Sequence, residues 1–369
     1  MQPQQTIHTG KHIPQLDGLR GMAILMVVCY HYFPGSILCN FGWSGVDLFF
    51  VLSGFLITGR LLPYLSDKKI LQKFYRNRFL RIVPLYFCFL ILFFLCWFLL
   101  TSKETLHSFR FYNEHWWQFF LFIQNWVFIF NFPLQATHLN HLWSIAIEEQ
   151  FYLIFPLFIL LIRNQKRLVT IGFALLFVIL LTRCIYFNWF LANNENDKIY
   201  WNTFLRMDSL LMGFILYVLF QKKNILLKIH RAIKYLSWAT IILLAGGIVF
   251  YKTAKIENPF LTTFGFTLIA IMYGYLLYVT LLKRNIFLNA LTLNGFLRYT
   301  GKISYGMYII HWPLLLLGFA VLNKLNTGLG ENSLLFINAT CCIPLTYLLS
   351  HISFKYFESF FLKRKAKFA

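Results

Sequence analysis

Acidic side chains are scarce in this 369-residue chain: 13 Asp and Glu stand against 34 Lys and Arg, and charged residues of both signs make up only 13% of it. A water-soluble domain carries about a quarter, so an ordinary soluble protein is excluded. Proline and cysteine are sparse too, at 10 and 7 residues. No Pro/Ser linker, repeat or low-complexity tract divides the chain. Six cysteines (Cys29, Cys88, Cys96, Cys184, Cys341 and Cys342) lie inside apolar runs, which speaks against a disulfide framework and for small side chains packed between helices. The first fifteen or so residues are polar, so no cleavable signal peptide is expected.

What is present is apolar. Hydrophobic residues make up 59% of the chain and aromatics 20%, with 43 Phe, arranged in runs near the ~20 residues that cross a bilayer as helix. The expected fold is an all-α polytopic membrane bundle. Ten spans are read at roughly 16–34, 43–61, 82–100, 142–162, 168–187, 202–220, 235–251, 260–282, 303–322 and 333–354. The net charge of +21 is no nucleic-acid footprint, because the basic residues punctuate the gaps between runs. With the N-terminus inside, 26 Lys and Arg fall in cytoplasmic gaps and six in outer ones. By the positive-inside rule both termini are then cytoplasmic. Counting Trp116–Phe132 as a full crossing would invert every later gap, so 116–132 is expected as a re-entrant or interfacial helix at the outer side. Residues 68–81 are basic and moderately apolar, and read as a surface helix running into the third span. The chain is expected to be one domain, 1–369, with a polar tail over 1–15 and a basic tail over 355–369.

Ionisable groups inside spans are costly and mark function by default. Arg20 and His31 are eleven residues apart, hence on one helical stripe about 16 Å apart along the axis. That geometry suits an extended donor with its charge at one end and its reactive group at the other. The bland alternatives are an Arg20 that snorkels beside Asp17 and a His31 satisfied by a hydroxyl. Asp47 opens the second span at the depth of His31, where a carboxylate could orient an imidazole. Ser53 and Gly54 read mainly as small residues that let helices approach. His138, His141, Trp143, Ser144, Glu148, Glu149 and Tyr152 form a third group. Two adjacent carboxylates in an apolar helix are hard to explain by packing. His-x-x-His with Glu is also a possible zinc pattern, but no metal is assigned. Arg206 and Asp208 read as an ion pair or as acceptor contacts. Arg76, Arg78 and Arg81 present guanidinium forks suited to phosphates, or, more blandly, to lipid headgroups.

In this order these stretches resemble the acyltransferase 3 family of integral-membrane acyltransferases. The elements are Asp17-Gly18-Leu19-Arg20-Gly21 with His31, Phe49-Phe50-Val51-Leu52-Ser53-Gly54-Phe55-Leu56, Arg78-Phe79-Leu80-Arg81, His141 through Tyr152, Arg206-Met207-Asp208, and Gly301-Lys302-Ile303-Ser304-Tyr305 to His311-Trp312-Pro313. Asn77 departs from the pattern, standing where many relatives carry another arginine. The resemblance implies ten spans, cytoplasmic acyl-CoA, acetyl-CoA on family grounds, as co-substrate, and a carbohydrate hydroxyl as acceptor at the outer face of a bacterial inner membrane. A second departure is that no esterase-like domain follows the last span, so the chain is expected to be of the stand-alone type. From the resemblance, Arg20, Arg76, Arg78 and Arg81 are expected to hold the CoA phosphates. His31 is the expected general base or acyl carrier, with Glu148, Glu149 and Asp47 in support. His141, Trp143, Tyr152, Arg206 and Asp208 are expected near the acceptor. A transporter or flippase for a glycan or lipid-linked precursor is the alternative from another class.

Overall fold

The computed structural model describes residues 12–365 apart from 35, 37–38, 101–105, 132–137, 193–195, 223–225, 227, 284, 326–327 and 329. Residues 1–11 of the polar tail and 366–369 of the basic tail lie outside the described residues, as do Lys103, Lys223 and Arg284 of the charge count. The described residues form helices and no strand. The chain opens with α1 (Pro14–Tyr32), α2 (Gly45–Leu61) and α3 (Ile70–Leu100). Two short helices, α4 (Leu106–Phe120) and α5 (Gln124–Asn131), lead to α6 (Trp143–Ile162) and α7 (Gln165–Ala192). Next come α8 (Asn196–Trp201), α9 (Asp208–Phe220), α10 (His230–Tyr251) and α11 (Phe266–Leu282). The last four are α12 (Ile286–Leu293), α13 (Gly295–Lys324), α14 (Glu331–Ile352) and α15 (Ser359–Leu362).

Among the described residues, eight helical runs are long and apolar enough to cross a membrane. The protein is therefore an integral, multi-pass membrane protein. Large apolar side chains such as Leu99, Leu161 and Phe250 face outwards, as lipid requires. Two of the ten expected spans, α1 and α9, are not among the eight. Gln15, Asp17, Arg20 and His31 dilute the apolar character of α1. The span expected over 202–220 is shorter than foreseen, because Phe204–Arg206 form a 3-10 turn and α9 keeps only 13 residues. At 1.5 Å per residue it measures about 20 Å. The basic 68–81 segment is continuous with the third span, giving a single helix of 31 residues. The aromatic stretch over 116–132 is split rather than continuous: α4 and α5 meet at a turn where Phe122 adopts φ 55°. Neither piece approaches spanning length.

Backbone proximity organises the bundle. α1 and α13 run parallel, and a Cβ on Gly21 or Gly301 would overlap the backbone of the other helix at Leu297 or Asp17. α2 and α9 also run parallel, and Gly54 and Gly213 meet the facing backbone in the same way. Small residues that admit a neighbouring backbone are the usual device for packing helices where lipid removes the hydrophobic drive. The result places α1, α2, α3, α6 and α13 around one polar interior.

Candidate active site

At one end of this interior, α1, α2, α3 and α13 each contribute cations that a lipid face could not accommodate. Arg20, Arg60, Arg81 and Lys302 line a cavity of about 550 Å³. Asp17 and Glu358 line it too, the latter carried by a π-helical turn over Ser353–Glu358. His12 Nε2 lies 2.7 Å from Asp17 Oδ2 at the rim. Lys365, just beyond the last helix, is driven to a pKa of about 6 by burial first and then by the like charges of Arg81, Arg60, Arg78 and Arg20. Such an excess of positive charge in one cavity favours a polyanionic ligand. Of the four expected arginines, Arg20 and Arg81 line the cavity. Arg78 is buried deeper, its guanidinium carbon 4.2 Å from the centre of the Tyr152 ring. Arg76 lies outside the cavity: two residues along a helix from Arg78 turns it about 200° away, and it is exposed, donating to Arg364 O at 3.4 Å.

Arg60 and Glu358 were not singled out from the sequence, and Lys302 was named only within a family element, with no role given to it. Arg60 and Lys302 read as topology-setting charges in basic gaps, and no local pattern tells such a residue from one that turns inward.

Above the cavity sits the carboxylate pair of α6. Glu148 accepts hydrogen bonds from the Ser53 hydroxyl of α2 and from the Tyr152 hydroxyl one turn along its own helix. Glu149 Oε1 is buried without a hydrogen-bond partner. Ser144, one turn further up α6, lies 2.5 Å from the Tyr308 hydroxyl, which donates to His141 O at 2.7 Å. His31 is not among the residues that line the basic cavity. The Glu148 layer stands between the two.

At the far end, His31 Nδ1 lies 3.1 Å from Nε2 of His311 on α13. His311 is fully buried. Trp312 meets the His31 ring edge-on at 4.8 Å between centres. His141 is the third imidazole, 5.6 Å from the His311 ring, with Nε2 3.2 Å from Ile309 O. His138 does not join them; it packs against Trp97 and Tyr112. Among the described residues, no three His, Cys, Asp or Glu converge as a metal would need.

Asp47, expected to orient His31, has other partners. Arg206 donates to its Oδ2 at 3.1 Å and Ser209 to its Oδ1 at 2.9 Å. The expected Arg206–Asp208 pair is likewise exchanged: Asp208 bonds Arg183 at 2.9 Å. Both pairs are fully buried. The Arg206 guanidinium is capped by Phe266 at 3.8 Å and Tyr200 at 4.9 Å, and Trp143 packs on Tyr200 at 4.4 Å. This knot ties α2, α7, α9 and α11 together beside the polar interior. The structure thus gathers His31, His141, Glu148, Tyr152, Arg20, Arg78 and Arg81 along one line, and puts Asp47, Arg206, Asp208 and Trp143 in a neighbouring buried cluster.

A basic cavity and paired imidazoles thus lie towards the two ends of α1, with hydroxyls and carboxylates between them. Comparison with known proteins gives the family. The family described as an acyltransferase domain matches residues 13–353. The chain belongs to the acyltransferase 3 family. It is a membrane-embedded member of that family. It is 30% identical over 375 residues to the peptidoglycan O-acetyltransferase OatA of Listeria monocytogenes, an alignment covering 96% of this chain and 56% of that protein. It is 27% identical over 389 residues to the O-acetyltransferase OatA of Staphylococcus aureus, covering 99% of this chain and 61% of the relative. The chain therefore spans 56–61% of the length of those curated relatives. No solved structure matches it.

Proposed function

We propose that this acyltransferase moves an acetyl group from cytoplasmic acetyl-CoA to a hydroxyl of a cell-wall glycan, with peptidoglycan the acceptor that the relatives' names favour. In this reading the chain crosses the bilayer ten times, α1 and α9 included, with both termini cytoplasmic, which the charge bias supports. The observation that carries the reading is a juxtaposition along α1: Arg20 in the basic cavity and His31 beside a second imidazole, about 16 Å farther on.

In this reading Arg20, Arg60, Arg81 and Lys302 hold the phosphates of CoA. The pantetheine arm extends past Tyr305 and the Glu148 layer, and the thioester carbon comes to rest by His31. His31 removes the acceptor hydroxyl's proton as its oxygen attacks the carbonyl carbon. The carbon–sulfur bond then breaks, and the thiolate takes that proton from His31 and leaves as free CoA. Glu148 and Glu149 bind or orient the incoming groups.

The deciding experiment uses the full chain in lipid nanodiscs with radiolabelled acetyl-CoA and solubilised peptidoglycan fragments. Ester-linked label on the glycan with equimolar CoA release is expected for the wild type, and loss of both for His31→Ala without loss of folding. A glycan moved across liposomes unmodified, with no CoA released, would instead establish transport. Wild-type label appearing only on a different glycan would replace the acceptor and keep the transferase.

A further inference from the structure

We infer that His311 is a positioning residue for the transfer: it fixes which nitrogen of His31 carries the proton and leaves Nε2 of His31 bare, ready to receive one. This rests on His31 acting as the base.

The deduction runs through hydrogen-bond polarity. Nδ1 of His311 lies 2.7 Å from Tyr308 O and 3.1 Å from Met307 O. Backbone carbonyls only accept, so Nδ1 of His311 must carry a hydrogen. A neutral imidazole has a single N–H, so Nε2 of His311 is a lone pair. That lone pair faces Nδ1 of His31 at 3.1 Å. Nδ1 of His31 therefore donates, and it shares its single hydrogen with the Val27 carbonyl one turn back on α1, the same backward reach that Nδ1 of His311 makes to Met307 O. Nε2 of His31 is left as an acceptor.

The arrangement is rigid. His311 is fully buried within α13, and the Tyr32 hydroxyl donates to His311 O at 2.9 Å, so the residue after His31 ties α1 to α13 at the same level. When Nε2 takes the acceptor's proton, the imidazolium keeps its Nδ1–H on His311, and that hydrogen bond becomes charge-assisted. A neutral imidazole thus occupies the place a carboxylate holds in serine-type triads. It orients the base without putting a permanent negative charge into an apolar interior.

The test compares His311→Leu, His311→Gln and His31→Ala in the full chain, in nanodiscs, with acetyl-CoA and peptidoglycan fragments as probes. His311→Leu should lower kcat about a hundredfold, the order of a lost general base, with KM for acetyl-CoA within about twofold of wild type. His311→Gln, whose Oε1 stands near the former Nε2 and accepts the same hydrogen bond, should recover at least about a tenth of wild-type kcat. If His311→Leu keeps more than half of wild-type kcat while His31→Ala is inactive, the positioning role is overturned and His31 remains the base. If His31→Ala turns over normally, the base assignment itself fails. A glutamine variant that melts like wild type but is as slow as the leucine variant also overturns the proposal, as does a rise in KM with kcat unchanged. Should the variants not fold, the nitrogen-15 spectrum of histidine-labelled wild type decides. An unprotonated Nε2 on His31 supports the proposal, and a protonated one overturns it.

Discussion

Arg60 and Arg76 show how little sequence spacing says about which arginines do chemistry. Both lie in basic gaps, yet Arg60 lines the cavity and Arg76 is exposed. A charge-assisted contact to phosphate is worth about 1.5–3 kcal/mol, so Arg60→Ala should raise KM for acetyl-CoA at least about tenfold and change kcat little. Arg76→Ala should leave both constants near wild type, and steady-state kinetics on the two variants checks this. Lys365 adds a pH dependence. With its pKa pushed down to about 6, it is mostly neutral at pH 7.5, and a bound phosphate raises that pKa again. Donor binding then takes up a proton, so affinity increases as pH falls from 8 towards 6 and gains no more below. KM for acetyl-CoA should drop over that interval in the wild type and stay flatter in Lys365→Gln. Arg20 and His31 were legible in the sequence because one helix fixes their relation. His311 was named only within a family element, and its pairing with His31 was not legible, since that contact joins residues 280 apart. Asp47 was misread for a related reason: position along a helix gives depth in the membrane, but not the direction in which a side chain points.

At the level of helices, the glycine contacts and the buried ion pairs carry the arrangement. Gly301→Leu would drive a side chain into the backbone at Asp17, forcing α1 and α13 apart and separating His31 from His311. That variant is expected to insert into membranes but lose acetyl transfer, with a lower melting temperature. Asp208→Ala would strand Arg183 without its carboxylate. Breaking a buried pair on one side costs about 3–5 kcal/mol, so chemical denaturation should show a marked loss of stability, whereas a surface change such as Lys68→Ala should show almost none. The helices themselves were largely readable from apolar run length. The break at Phe122 was not, because neither glycine nor proline announces it. The start of α9 was misplaced because Thr203–Arg206 are apolar enough to pass for helix while their backbone tightens into a 3-10 turn.

Across the whole molecule, the basic cavity and the imidazole pair lie at opposite ends of α1, so orientation in the membrane decides which compartment supplies the donor. In a variant freed of its seven native cysteines, Lys68→Cys should resist a membrane-impermeant thiol reagent on intact cells, and Glu257→Cys should react with it. The reverse pattern would put the basic cavity outside the cell and overturn the proposed cytoplasmic donor. The overall charge bias was plain in the sequence because it is a sum over many loops. The convergence of five helices on one interior was not, because it depends on which faces pair.

Because Glu148, held by the Ser53 and Tyr152 hydroxyls, stands between the arginine-lined cavity and the imidazoles, the proposed reaction asks the thioester tail to slip past a knot of hydrogen bonds joining α2 to α6. The reach of the donor and the loosening of that knot are then one and the same event in each turnover.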